Sequence, residues 1–246
     1  NKYLTDKRKV FLDRTISGLY VPGSIIKPIL ALGALKENII DPNKEILSNG
    51  FISIPNPYVK DGETIFKDWK IHGYTAMREA IAVSSDVYFY TIGGGFKDQR
   101  GLGISNIEKY AKLFGIGEKT NIDLPDEKSG NIPSPIWKEK NFPGDPWRLG
   151  NTYHTAIGQY GFQVTPIEMV RAISAIANNG TLITPHLLLE NTEDNKKVFI
   201  TDIKKEHYEI VKEGMREAVT YGTAVALNVP YINVAAKTGT AQLGVS

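Results

Sequence analysis

One Ser-x-x-Lys pair occurs in the chain, Ser24 with Lys27. On a helix, side chains at i and i+3 stand on one face about 5–6 Å apart at Cβ, so this lysine can reach this hydroxyl. A serine hydroxyl becomes a nucleophile at neutral pH only when a base takes its proton. A lysine can be that base only if its pKa falls from about 10.4 to near 7, roughly 4–5 kcal/mol of disfavoured charge. A cause is at hand: Lys27 is the only charged residue between Ser24 and Leu35, in an otherwise apolar run. Burial of that run desolvates the ammonium and shifts it in the required direction. The bland alternative is a lysine whose head snorkels to the surface, serving only solubility.

Two further groups extend the chemistry. Ser84, Ser85 and Asp86 form a hydroxyl-rich break, and Lys237, Thr238, Gly239 and Thr240 form the one Lys-Thr-Gly in the chain. Lys237 and the two threonine hydroxyls suit a substrate carboxylate, and Gly239 on an expected strand lets a ligand backbone approach. The amides of Thr240 and Ser24 together could form an oxyanion hole. A second cation beside Lys27 would depress its pKa further. The alternative for Lys237 to Thr240 is an edge strand with a solvated lysine.

Other matches fail. Gly115, Gly117, Lys119 and Thr120 echo a phosphate loop, but Glu118 separates glycine from lysine. Gly93 to Gly95 lack the third glycine of a dinucleotide fingerprint. His72, His154, His186 and His207 contain no i, i+4 pair, and no Gly-x-Ser-x-Gly elbow exists.

The elements needed to position these residues can be read from pattern. The segment Ser24 to Leu35 is apolar all round and predicts a core helix. Met77 to Ile92 is helical around the break at Ser84, Ser85 and Asp86. Ile104 to Phe114 carries a 3.6-residue pattern ending at Gly115. Pro166 to Ala177 is a helix opened by Thr165 and closed by Asn178, Asn179 and Gly180, and His207 to Thr220 is amphipathic. Strands are expected at Leu182 to Leu189 and Lys197 to Ile200, around a charged turn, and at Tyr231 to Gln242. Asp41 to Tyr74 reads as an elaborated loop region with weak secondary structure, including strand-like Gly50 to Ile54. Ile122 to Thr152, rich in proline, reads as a long irregular loop. The first stretch, to Arg14, is a polar approach segment. The class is α+β.

Composition narrows the function. Across 246 residues, 29 Lys plus Arg face 27 Asp plus Glu, a formal net charge of +2, which excludes the strongly basic face of a nucleic-acid protein. No apolar run approaches the roughly 18–20 residues of a membrane span. Cysteine is absent, which excludes disulfides, thiol nucleophiles and Cys-rich metal sites.

Ser-x-x-Lys, Ser-Asp-Asn and Lys-Thr-Gly in this order are the signature of class A β-lactamases and penicillin-binding proteins, and this chain has the three elements in that order with Ser-Ser-Asp as the second. The surrounding segments sharpen the likeness: Arg14 to Lys27 (RTISGLYVPGSIIK), Ser84 to Tyr90 (SSDVYFY), Ser129 to Lys138 (SGNIPSPIWK), Gly158 to Met169 (GQYGFQVTPIEM) and Ala235 to Gln242 (AAKTGTAQ). From about residue 14 onward the chain resembles the class B penicillin-binding proteins, most of all their penicillin-binding protein 2 group, the D,D-transpeptidases of cell elongation. The resemblance implies the penicillin-binding/β-lactamase-like transpeptidase fold, an all-helical lobe plus an antiparallel sheet lobe. It also implies that residues 1–246 are one transpeptidase domain, a fragment lacking flanking strands, the N-terminal pedestal and the membrane anchor. Ser24 would be acylated by stem peptides ending in D-Ala-D-Ala, or by β-lactams. Lys27 would be the base, Ser84 would relay a proton to the leaving amine, and Lys237, Thr238 and Thr240 would hold the terminal carboxylate. No cofactor is implied. Expected partners are peptidoglycan stem peptides, β-lactams, the glycan polymerase of the elongation complex and its periplasmic scaffold protein, with the domain in the periplasm on an inner-membrane anchor.

Two departures stand out. The second motif ends in Asp86 where the family commonly has Asn, and a carboxylate beside Lys27 raises its pKa unless burial or Lys237 offsets it. Some members of the group carry a zinc site that includes a cysteine; with none here, Asp61, Asp68 and His72 are the weak candidates. The alternatives within reach are a D,D-carboxypeptidase, which uses water as acceptor, and a non-catalytic scaffold or β-lactam sensor subunit. A β-lactamase is disfavoured because no Glu-x-x-Leu-Asn stands ready to hold a deacylating water.

Overall fold

In the computed structural model, which describes residues 2, 3, 5–56, 58–189 and 197–242, the apolar run after Ser24 forms the axis of the helical core. A short helix, α1 (Arg14–Ser17), precedes a 3₁₀ turn (Gly23–Ile26), which continues directly into α2 (Lys27–Lys36). Every residue from Lys27 to Leu35 is buried, as its all-round apolar character requires. Pro28 sits in the first turn, where its missing N–H has no intrahelical acceptor to satisfy. Ile29, Leu30 and Leu32 have no exposed surface, and each such side chain contributes about 1.5–3 kcal/mol by leaving water.

The region expected as weakly structured loop contains four strands: β1 (Ile46–Ser48), β2 (Phe51–Pro55), β3 (Glu63–Lys67) and β4 (Gly73–Thr75). They form two antiparallel pairs, β2 with β3 and β1 with β4, the second pair enclosing the first in sequence. Strands of three to five residues are too short for alternation to stand out. Their stability comes from ladder partners and from burial of Ile52 and Phe66, which face each other across β2 and β3.

Next come α3 (Met77–Ala82) and α4 (Asp86–Gly94), interrupted where the sequence places the serines. The helix α5 (Gly103–Leu113) follows, ending at the expected glycine. A Cβ on Gly33 of α2 would lie 2.7 Å from the Tyr110 ring, so this glycine sets how closely α2 and α5 pack. The proline-rich stretch is not all loop. It holds α6 (Pro135–Asn141) and leads into α7 (Leu149–Ala156). Ser134 caps α6 by accepting from the Trp137 amide, with Pro135 in the first turn, so this proline starts a helix rather than breaking one.

The helix α8 (Pro166–Ala177) has the reciprocal capping box of Thr165 and Glu168. The strands β5 (Thr181–Ile183) and β6 (Lys197–Phe199) pair antiparallel, shorter than expected, and the charged turn between them at 190–196 lies outside the described residues. The helix α9 (Lys205–Thr220) packs on α3, where a Cβ on Gly214 would meet Arg78 and Ile81.

The expected strand at Tyr231 to Gln242 does not form among the described residues. A strand exists by its ladder, and no described strand lies beside this segment. Its polar groups go to helices and side chains instead: the Ala236 amide donates to Met215 O, and Arg216 donates to Val234 O. The class is α+β as expected. The described sheets are three separate antiparallel pairs rather than one continuous sheet.

Candidate active site

Ser24 lies in the 3₁₀ turn ahead of α2, and its loop is tied down from several sides. Tyr20 and Val164 exchange both backbone hydrogen bonds at 2.9 Å, and the Gly23 amide donates to Gly158 O at 3.0 Å. Gly23 has φ +55°, and a Cβ there would sit 2.3 Å from Thr240 O. A Cβ on Gly239 would lie 2.9 Å from Pro22 O. Only glycine at both positions lets the Lys-Thr-Gly segment lie directly along the turn that carries Ser24. The two motifs, distant in sequence, are therefore in backbone contact.

Lys27 has no exposed surface. Its ammonium donates to Ser84 O at 2.8 Å, Ser84 Oγ at 3.2 Å and Asp86 Oδ1 at 2.6 Å. Three acceptors match the three protons of a lysine head. Snorkelling is overturned: the head is held inside, by the break between α3 and α4. Burial pushes the Lys27 pKa below its ordinary value, and the ion pair with Asp86 opposes that shift without reversing it. Burial likewise raises Asp86, against the pull of Lys27. The concern over a carboxylate in this position is thus answered by desolvation, the larger effect at both groups.

Ser84 has φ +59°, in the left-handed region that a non-glycine residue seldom occupies. This conformation turns its carbonyl and hydroxyl toward the lysines. Lys237 donates to Ser84 Oγ at 2.8 Å from the opposite side. Burial first, and the charge of Lys27 second, push the Lys237 pKa down to about 7, with Asp86 opposing. Both cations thus bond to one hydroxyl, which gives a proton path between either amine and anything bound against Ser84. The solvated-lysine alternative for Lys237 does not hold.

Ser24, Ser84, Asp86, Thr238 and Thr240 line one cavity of about 460 Å³, with Trp69 and Tyr90 on its wall. A larger cavity of about 860 Å³, between β2, the end of α4 and α7, touches none of the predicted catalytic residues. Two side chains that brace the first cavity escaped the sequence reading. Gln159 Nε2 donates to Thr240 O at 3.0 Å, and Thr238 Oγ1 donates to Thr223 Oγ1 at 2.8 Å. Gln159 lies inside the quoted segment Gly158 to Met169, so it had a signal. Thr223 had none, because only the turn after α9 brings it near.

The zinc candidates do not assemble. Asp61 stands on the exposed turn between β2 and β3. His72 Nε2 lies 3.5 Å from Asp68 Oδ1, but among the described residues no group of three or more His, Cys, Asp or Glu could hold a metal ion. The residues present do not fit zinc.

The profile of the penicillin-binding protein transpeptidase domain matches residues 1–246. The chain is 34% identical over 244 residues to the peptidoglycan D,D-transpeptidase MrdA of Acinetobacter baumannii, covering 94% of this chain and 34% of that protein. It is 32% identical over 254 residues to MrdA of Escherichia coli K12, covering 98% of this chain and 38% of that protein. Among solved structures, the complex between penicillin-binding protein PBP2 and MreC from Helicobacter pylori matches with a TM-score of 0.84 at 34% identity, covering 98% of this chain and 44% of that one. The chain thus spans little more than a third of the length of these curated relatives.

Proposed function

The chain belongs to the penicillin-binding protein transpeptidase family, and from that premise we propose that Ser24 is acylated by peptidoglycan stem peptides ending in D-Ala-D-Ala. Ser24 Oγ attacks the carbonyl carbon between the two D-alanines, and its proton passes to the Lys27 amine. The amides of Ser24 and Thr240 carry the oxyanion. The C–N bond then breaks, and Ser84 delivers a proton to the departing D-Ala nitrogen, replenished from the lysines that touch it. The acyl group is finally transferred to the amine of a neighbouring stem, which closes the cross-link and frees Ser24. Lys237, Thr238 and Thr240 hold the terminal carboxylate, and β-lactams, which carry an equivalent carboxylate, acylate the same serine.

The observation that carries this reading is the meeting of a buried Lys27 and a half-buried Lys237 on the hydroxyl of Ser84, in the cavity that Ser24 lines. A pure scaffold has no use for a desolvated ammonium. In the whole protein, the activity would serve cell-wall elongation from the periplasmic side of the inner membrane. No helix of the described residues is long and apolar enough to cross a membrane. An MreC-type scaffold and a glycan polymerase are the expected partners. A fluorescent penicillin tests the reading: a stable adduct lost in Ser24→Ala supports it. Rapid turnover would make the protein a β-lactamase, and absence of any adduct would leave the scaffold. Defined stem peptides with and without an acceptor amine then separate transpeptidation from carboxypeptidation.

A further inference from the structure

Asp68 cannot serve as a zinc ligand in the set available to it, yet its side chain has no exposed surface. Its oxygens are fully engaged. Oδ2 accepts from Ser85 Oγ at 2.9 Å, from the Val87 amide at 2.9 Å and from Ser48 Oγ at 3.2 Å, while Oδ1 accepts from the Trp69 amide at 2.8 Å. Two of these donors flank Asp86: the Ser85 hydroxyl at the N-cap of α4 and the Val87 amide in its first turn, where unpaired amides favour an anion. Ser85 is also the cap of that helix, accepting from the Tyr88 amide. Next to it stands Ser84 in its left-handed conformation. A strained residue persists only where its surroundings over-determine it: Ser84 is held directly by Lys27, Lys237 and the Ile81 carbonyl, and the turn that follows it is anchored through Ser85 and Val87 on one buried carboxylate.

The geometry points to Asp68 as a positioning residue. It clamps the Ser84–Asp86 turn so that the Ser84 hydroxyl stays between Lys27 and Lys237, a task done in this chain by hydrogen bonds rather than by a metal ion. The inference rests on the reading of Ser24 as the acylated nucleophile. Asp68 touches none of the groups that react, so its effect falls on the rate of acylation and not on the binding that precedes it.

The test separates those two constants with a chromogenic β-lactam. Displacing a catalytic group by about 1 Å costs on the order of 100-fold, so Asp68→Ala lowers the first-order acylation constant by about that factor. Asp68→Asn keeps an acceptor for Ser85 and Val87 and lowers it only about tenfold. Both leave the pre-covalent dissociation constant within about threefold of the parent, because the carboxylate-binding side is untouched. Ser85→Ala breaks the same clamp from its other end, so adding it to Asp68→Asn costs little more than either change alone. Amide hydrogen exchange over 84–90 reads the clamp without any substrate, and Asp68→Asn accelerates exchange there while leaving α2 unchanged. Acylation at the parental rate in folded Asp68→Ala overturns the inference, as does unaltered exchange over 84–90 in Asp68→Asn. So does a rise of the parental unfolding midpoint on equimolar zinc that Asp68→Ala abolishes. A parent that exchanges as described but never labels with β-lactam fails the acylation reading alone.

Discussion

Two lysines meet at the hydroxyl of Ser84, and the protein holds them in opposite ways. Lys27 grows from the first turn of a core helix, has no exposed surface, and is paired at 2.6 Å with Asp86. Lys237 comes from a segment outside any helix or strand and is half-buried. It bonds to Ser84 Oγ and to its neighbour's carbonyl, with no carboxylate in direct contact among the described ion pairs. Both lose proton affinity chiefly through desolvation, and Asp86 resists the loss at both, by direct hydrogen bond at Lys27 and only through space at Lys237. The difference teaches a division of labour. On the proposed mechanism, the cation that gives up and regains a proton is kept inside with a compensating charge. On that mechanism the cation that receives an anion has no carboxylate in direct contact, only the more distant charge of Asp86.

The comparison is broken most severely at Lys27. Lys27→Met removes the base, so β-lactam acylation falls by about 10²–10⁴-fold. It also leaves Asp86 buried without its cation, which costs about 3–5 kcal/mol in denaturant unfolding. Adding Asp86→Asn to that variant returns part of the stability and none of the acylation, and this dissociation separates the structural share of the pair from the chemical one.

Lys237→Ala gives a smaller loss of a different kind. The pre-covalent affinity for a β-lactam falls about 10–100-fold, the worth of a charge-assisted hydrogen bond of roughly 1.5–3 kcal/mol, while the unfolding free energy changes by less than about 1 kcal/mol. The pH dependence follows from its depressed pKa of about 7. Below that value the group is charged and binds an anion; as pH rises through it the charge is lost and affinity weakens. Lys237→Arg, charged throughout the range, abolishes that weakening. Affinity that is flat across pH 6–9 in the parent would contradict the assignment.

Asp86→Asn is milder still. It retains acylation within about tenfold of the parent, because burial rather than the carboxylate sets the direction of the Lys27 shift. Removing the carboxylate disfavours the ammonium further, so the acid limb of the acylation profile moves to lower pH. Complete loss of labelling, or a move to higher pH, would reverse this account. Smallest of all is Thr238→Val, which gives up the neutral hydrogen bond to Thr223 and a carboxylate contact. It weakens β-lactam binding by a few-fold, about 1 kcal/mol.

The chemistry of the site was legible because it resides in residue types that are hard to place by accident. Lys27 announces itself as the one charge in the apolar run from Ser24 to Leu35, and the serine break announces itself between two helical patterns. The helix start at Thr165 and Glu168 likewise has a local signature, and the structure shows the box; Gly239, expected on a strand to admit a ligand backbone, instead lies against the chain's own turn at Pro22 to Ile25. What stayed hidden was any feature defined by a remote partner. The strands from Ile46 to Thr75 are too short to carry a period and exist through pairing across the chain. The segment at Tyr231 to Gln242 has strand-like composition but no ladder among the described residues, so composition misled there. Asp68 shows most clearly why: the family resemblance made it one of three candidate zinc ligands with Asp61 and His72, whereas its hydrogen-bond donors include Ser48 on β1 and Ser85 and Val87 at the start of α4.

Side-chain chemistry and short-range periodicity suffice to say which groups are available, that Lys27 lies in an apolar run of sequence, and which family the motifs resemble. Only the tertiary structure decided that the two lysines share one hydroxyl, that desolvation outweighs Asp86, and that Asp68 clamps the turn rather than ligating a metal. Each of these is a balance of distance and burial between groups far apart in the chain, and such a balance has no value until the chain has folded.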